Sequence, residues 1–70
     1  MKNKFAERLK ELRIEAKMSQ KQLAELLGVV QHTISNWEKE ARQPDFDMLM
    51  KIATTLDVST DFLLGLSEYN

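Results

Sequence analysis

The sequence predicts a small all-α domain of five helices, and three observations lead to this prediction. Apolar residues recur at intervals of three and four in successive segments, which is the spacing of one face of a helix. Serine, aspartate, glycine and proline separate these segments, as expected where helices begin and end. The 70 residues include no cysteine, so a small core must hold the fold together without disulfides.

The first helix is predicted over residues 4–17. Its apolar residues fall on a single stripe, and charged residues fill the remaining positions. The residues expected to face the core are Phe5, Leu9, Leu12 and Ala16.

The second helix has a clear start and a clear end. Ser19 and Gln22 have the spacing of a capping box, in which each side chain accepts a hydrogen bond from the other residue's backbone N–H. The helix is therefore expected to begin at Gln20, and Gly28 is suited to the left-handed turn that ends it. The residues predicted to be buried are Leu23, Leu26 and Leu27.

The third helix is predicted in an unusual segment. Residues 31–36, QHTISN, hold five polar uncharged side chains and none of the long charged residues that cover an ordinary solvated helix face. At about 100° per residue the segment still separates into two faces, so it is predicted to be helical. Thr33, Ile34, Trp37 and Ala41 fall on one side, of which Ile34 and Trp37 are predicted to face the core. The outward face presents Gln31, His32, Ser35, Asn36 and Lys39.

Two further helices follow a connection that Pro44 ends. Asp45 is positioned to cap the fourth helix, and Ser59 to cap a short fifth helix that ends at Gly65. The core stripe of the fourth helix is predicted to be Leu49, Ile52, Ala53 and Leu56.

Charge is distributed unevenly along the chain. The net charge is −1, yet residues 1–21 carry seven basic and three acidic side chains, whereas residues 22–70 carry three basic and eight acidic ones. The basic residues of the first segment, Arg8 among them, either form a solvated face or face a phosphate partner. No apolar run reaches the length of a membrane span and no signal peptide follows the start, so the protein is expected to be cytoplasmic.

Five fragments carry a family resemblance. They are ERLKELR (7–13), SQKQLAELLGV (19–29), TISNWE (33–38), RQPDFDMLMKIATTLDVS (42–59) and DFLLG (61–65). In this order and spacing the chain, from about Phe5 to Gly65, resembles the phage-repressor-like (Cro/Xre-type) helix-turn-helix domains. The resemblance implies one compact, five-helix, lambda-repressor-like DNA-binding domain over residues 1–70, with its helix-turn-helix at about 19–40 and its third helix in the major groove of double-stranded DNA.

The resemblance also implies roles for individual residues. The positions matching those that reach base edges are Gln31, His32, Ser35 and Asn36. The positions matching phosphate contacts are Ser19, Gln20, Lys39 and Arg42. Arg13 and Glu38 match a partly buried ion pair that joins the first helix to the third. No metal, cofactor or small-molecule ligand is implied.

Two residues depart from the family pattern. Val30 stands where relatives usually have Ser or Thr, so the third helix is expected to lack a side-chain cap, although a Val methyl group could instead lie near thymine. Glu40 stands where relatives often have Gly in a left-handed conformation, and is expected to be strained if it adopts that geometry.

Several residues admit two interpretations from sequence alone. The polar face of the third helix is either solvated or bound to a ligand. Trp37 either anchors the core, as its position favours, or stacks on a nucleobase. His32 lacks the neighbouring cysteines and carboxylates that a metal site or a catalytic base would need. Near the end of the chain, Leu64, Leu66 and Tyr69 belong either to the core or to a pairing surface.

The function expected is sequence-specific DNA binding by a transcriptional regulator, a repressor acting as a homodimer on a palindromic operator, with residues 58–70 as the dimerisation region. The alternative is an antitoxin-like or other protein-interaction module in which DNA binding is secondary. An enzyme is not expected, because two isolated glycines make no phosphate loop and no nucleophile–base pair is found.

Overall fold

The computed structural model describes residues 3–69, and in this range it contains five α-helices and no strand. The helices are α1 (Phe5–Glu15), α2 (Gln20–Leu27), α3 (Gln31–Glu38), α4 (Phe46–Leu56) and α5 (Thr60–Leu64). The all-α prediction is confirmed, as is the number of helices. Within the same residues, none of the helices has the length and apolar character needed to cross a membrane.

The caps lie where the sequence predicts them. In α2 the backbone N–H of Gln22 donates to the Ser19 hydroxyl over 3.0 Å, and the backbone N–H of Ser19 donates to the Gln22 side chain over 2.8 Å. Asp45 accepts from the backbone of Met48 over 2.8 Å, and Ser59 caps α5 in the same way. Each cap satisfies a backbone donor that the first turn of a helix leaves without a partner.

The core lies where the apolar faces of the helices meet. Its buried apolar residues are Phe5, Leu9, Leu23, Ala24, Leu27, Ile34, Trp37, Ile52, Ala53 and Leu63. The ring of Phe5 in α1 meets the ring of Trp37 in α3 edge-on, with centroids 6.2 Å apart and planes at 75°. Trp37 is therefore a core anchor, and its alternative as a base-stacking residue is excluded by burial.

Two residues predicted to face the core, Ala16 and Leu26, are exposed, and so is Ala41, which shares its side of the third helix with Ile34 and Trp37. Leu26 is 58% exposed, because α2 turns Ala24 inward together with Leu23 and Leu27, and the small Ala24 side chain is buried instead. Ala16 and Ala41 are both exposed. The reason is that α1 ends at Glu15 and α3 ends at Glu38, so neither helix extends far enough to carry these alanines round to the core.

The helices end in left-handed residues, three of which are not glycine. The residues with positive φ are Lys17, Gly28, Glu40, Asp57 and Gly65. After α3, the N–H of Ala41 donates to the carbonyl of Asn36 over 2.9 Å, and the N–H of Glu40 donates to that of Trp37 over 3.2 Å. This pair of bonds is a Schellman motif, which requires the left-handed conformation at position 40 whatever residue stands there.

The segment after α5 is held against α1 by Arg8. The Arg8 side chain is buried, and it donates to the carbonyls of Phe62 (3.1 Å) and Ser67 (3.2 Å). Its guanidinium also lies 4.1 Å from the centroid of the Phe62 ring and forms an ion pair with the exposed carboxylate of Glu68 at 3.3 Å. Arg8 therefore belongs neither to a solvated basic face nor to a phosphate-facing one, so both interpretations of the first segment are wrong for this residue.

We expect Glu40→Gly to raise the melting temperature. Glu40 has φ of 64°, and releasing a non-glycine residue from this conformation should stabilise the domain by about 1 kcal/mol, or about 4–8 °C. Calorimetry or thermal circular dichroism would measure the shift. Glu40→Ala is the matched control, because it removes the carboxylate and keeps the β-carbon. A melting temperature of Glu40→Gly at or below the wild-type value would contradict the prediction.

Candidate nucleic-acid interface

The outward face of α3 carries four polar side chains that take no part in the internal hydrogen bonds of the described chain, residues 3–69. Gln31 and His32 are exposed, and Ser35 and Asn36 are half-buried. Within residues 3–69, none of these four side chains makes a hydrogen bond to another part of the protein. Their donors and acceptors are therefore available to an external partner, as amide, hydroxyl and imidazole groups can both donate and accept.

The opposite face of α3 is fixed in the core. Ile34 has no exposed surface and Trp37 is 5% exposed. The turn before α3 is equally defined, since Gly28 has φ of 74° and Val30 continues in an extended conformation. A buried anchor behind the polar face keeps that face in one orientation, which base recognition requires.

Val30, at the entrance to α3, behaves as the sequence predicts. It makes no side-chain cap to the helix, and its apolar side chain is 67% exposed. The first turn of α3 consequently lacks the side-chain cap that α2, α4 and α5 each have. Val30 immediately precedes Gln31, the first residue of the polar face of α3.

A carboxylate joins three helices behind this face. Glu38, the last residue of α3, accepts from Arg13 of α1 through two bonds, Nε to Oε2 at 2.8 Å and Nη2 to Oε1 at 3.1 Å. Gln20, the first residue of α2, donates its side-chain Nε2 to the same Oε1 at 3.2 Å. Arg13 also donates Nη1 to the carbonyl of Met18 at 2.9 Å. The ion pair implied for Arg13 and Glu38 is present, with Gln20 as a third member.

The surroundings of Arg13 favour its charged form. The Arg13 and Glu38 side chains are only 13% and 5% exposed. The hydrogen bond to Glu38 raises the pKa of Arg13, the charge of Glu38 adds to this, and burial acts in the opposite direction. A carboxylate at the end of a helix opposes that helix's own dipole, but here it lies beside the first turn of α2, where a negative charge is favoured.

The residues implied as phosphate contacts differ in their surroundings. Lys39 and Arg42 are exposed, just beyond α3. The Ser19 hydroxyl accepts from the backbone of Gln22 and still has its own proton to donate. The Gln20 amide is directed to Glu38 instead of projecting freely into solvent. Sequence reasoning missed this contact because neither residue type nor spacing indicates it.

No group of three His, Asp or Glu side chains within residues 3–69 could hold a metal ion.

Comparison with known proteins gives the family. Residues 9–63 match the helix-turn-helix family model, and the chain belongs to this family, in its phage-repressor-like (Cro/Xre-type) branch. It is 45% identical over 64 residues to the HTH-type transcriptional regulator ImmR of Bacillus subtilis (strain 168), across 91% of this chain and 50% of ImmR. The chain thus spans about half the length of the curated relatives it matches.

Two solved structures place this match in context. The P22 c2 repressor, solved in complex with a synthetic operator, superimposes with a TM-score of 0.81 and 32% identity over 86% of this chain and 91% of the repressor. HppE, solved with Fe(II) and substrate, superimposes with a TM-score of 0.80 and 35% identity over 91% of this chain but only 37% of its own. The same fold thus occurs in the P22 c2 repressor and in HppE, so the fold alone does not determine function. The residues on the surface of α3 are more informative.

We expect Glu38→Gln to destabilise the domain by about 3 kcal/mol, because it leaves the largely buried Arg13 guanidinium without its counter-charge. Chemical denaturation measures the free energy of unfolding. Glu25→Gln is the matched control, since Glu25 is exposed on α2 and its substitution should change stability by less than about 0.5 kcal/mol. Equal stability of Glu38→Gln and the wild type would show that the ion pair is not a structural one.

Proposed function

We propose that this domain binds double-stranded DNA in a sequence-specific manner through the outward face of α3. The observation that carries the proposal is the contrast between the two faces of this helix. One face is locked into the core by Ile34 and Trp37, and the other holds four polar side chains that have no hydrogen-bond partner among the described residues 3–69. A short helix of this kind fits the major groove, whose base edges present a pattern of donors and acceptors.

The chemistry of the α3 face suits base edges better than phosphates. Gln31 and Asn36 can each donate to and accept from one adenine, a bidentate pair that contributes about 1–3 kcal/mol of discrimination. Ser35 and His32 can make single hydrogen bonds, which discriminate less between bases than a bidentate pair does. Phosphate contacts are assigned to the charged residues just after α3, Lys39 and Arg42, and to the first turn of α2 at Ser19, where backbone N–H groups favour an anion.

The wider role we propose is that of a transcriptional repressor in the bacterial or phage-infected cytoplasm. Two copies would place their α3 helices in successive major grooves about 34 Å apart on a palindromic operator, which excludes other proteins from that site. A single domain of this size makes few contacts, and pairing multiplies them. Two features support this proposal, the operator complex of the similar P22 c2 repressor and the similarity to the regulator ImmR.

For pairing we propose the region 58–70, of which residue 70 lies outside the described residues. Leu66 is 70% exposed and Tyr69 is 86% exposed, while Leu64 is half-buried against the core. Between Leu66 and Tyr69, the carbonyl of Ser67 accepts a hydrogen bond from Arg8, which holds this part of the backbone. The two exposed side chains therefore project from a fixed segment, which lowers the entropy lost when they are buried by a second copy.

Selection from random duplexes tests the DNA-binding proposal. We expect the wild type to select one motif, and Gln31→Ala and Asn36→Ala each to relax it at different base pairs without altering the dependence of affinity on salt. Lys39→Ala is the reciprocal control, because it should keep the motif and reduce the slope of log affinity against log salt by about 0.9. Selection of an unchanged motif by both α3 variants would refute the assignment of Gln31 and Asn36 as base-contacting residues. Co-purification of a protein partner in stoichiometric amount, without salt-sensitive DNA affinity, would favour the antitoxin-like alternative.

Sedimentation equilibrium tests the pairing region. We expect Leu66→Asp to raise the dissociation constant of the dimer by about tenfold or more, since it would place a charge in an apolar contact. Leu26→Asp is the matched control, because Leu26 is also exposed but lies on α2. A wild type that remains monomeric at all concentrations, or equal effects of the two substitutions, would exclude this surface.

A further inference from the structure

The Gln20 side chain connects the two helices of the helix-turn-helix at the ends farthest from their turn. Gln20 begins α2 and Glu38 ends α3, whereas the turn at residues 28–30 joins the end of α2 to the start of α3. The amide of Gln20 donates to Glu38 over 3.2 Å. The pair of helices is therefore linked at both ends, once by the chain and once by this hydrogen bond.

The acceptor of this bond is itself fixed. The Glu38 side chain is 5% exposed, and Arg13 holds both of its oxygens. Hydrogen bonds to a charged acceptor are stronger than neutral ones, and those to a buried acceptor are less weakened by water than those to an exposed one. A contact to Glu38 consequently ties α2 to a rigid point on α3.

The position of this link matters for the polar face of α3. Asn36 is two residues before Glu38, in the same last turn, so a shift at Glu38 is passed directly to Asn36. A bidentate contact with a base edge is lost when the side chain is displaced by about 0.5–1 Å. The end of α3 that carries Asn36 is also the end that the chain turn does not hold.

We propose that Gln20 is a positioning residue for base recognition, which sets the orientation of α3 on α2 through its bond to Glu38. The inference rests on the proposed DNA binding and assigns to Gln20 a role beyond the phosphate contact that the family resemblance implies, for which its second amide N–H remains available. Its consequence is that Gln20 governs specificity, whereas a phosphate ligand would govern affinity alone.

The first test uses Gln20→Met, which keeps the length of the side chain and removes its donor. The probes are the duplex selected by the wild type and the same duplex with one base pair changed at the position that Asn36→Ala relaxes. We expect the ratio of the two affinities to fall about fivefold or more in Gln20→Met. Lys39→Ala shows what a phosphate contact does, because it should lower both affinities by one factor and leave their ratio unchanged.

The second test needs no DNA. We expect Gln20→Met to lower the folding equilibrium constant by about fivefold or more in chemical denaturation. Gln43→Met, at an exposed glutamine of the loop before α4, is the control and should change this constant less than about twofold. All affinities are compared at a temperature where each variant is fully folded.

The outcomes separate the possible roles of Gln20. Loss of stability together with a reduced affinity ratio supports a positioning role. Loss of stability with an unchanged ratio would reduce Gln20 to a structural residue. Unchanged stability with both affinities lowered equally would make it a phosphate ligand only. Each of these two results overturns the proposal. Failure of the wild type to select any motif would instead remove the proposed function, and is seen before any substitution is made.

Discussion

The carboxylate of Glu38 is the point on which the arrangement of the helices depends. It accepts hydrogen bonds from α1 through Arg13 and from α2 through Gln20, and it is carried by α3. A domain of this size has a small core, so its helices need specific contacts as well as apolar packing to define their angles. A buried ion pair adds little net stability compared with apolar packing, but it permits only one arrangement of its partners.

The two faces of α3 depend on each other. An eight-residue helix is too short to be stable alone, and α3 depends on the burial of Ile34 and Trp37 for its existence. The same burial leaves its other face as a surface of short polar side chains. The uncapped start at Val30 and the strained end at Glu40 both cost stability, and both flank the surface that we propose to meet DNA. Deviations from local rules at such a place are what a functional surface leads one to expect.

The sequence determined the elements and the two faces of α3. The capping box of α2, the side-chain caps of α4 and α5, the left-handed glycines and the apolar spacing are local features. The helices and their order therefore followed from neighbouring residues. Burial of Ile34 and Trp37 followed from the same periodicity. The Arg13–Glu38 pair was available only from the family resemblance, because 25 positions separate its members and no local pattern joins them. The left-handed conformation of Lys17 could not be predicted from residue type, since lysine has no preference for it. Aspartate is enriched in this conformation, but residue type alone does not say that Asp57 adopts it.

Tertiary structure decided which side of each helix meets which neighbour. Leu26 satisfied the helical spacing and is nonetheless exposed, because the close packing of α2 selects the smaller Ala24 for the interior. Arg8 looked like one of several surface cations and is buried under the segment that follows α5. The amide of Gln20 faces Glu38 for the same reason. Periodicity fixes which residues share a face of a helix, but contacts between residues distant in sequence depend on how the helices pack, and that is set by the whole core at once.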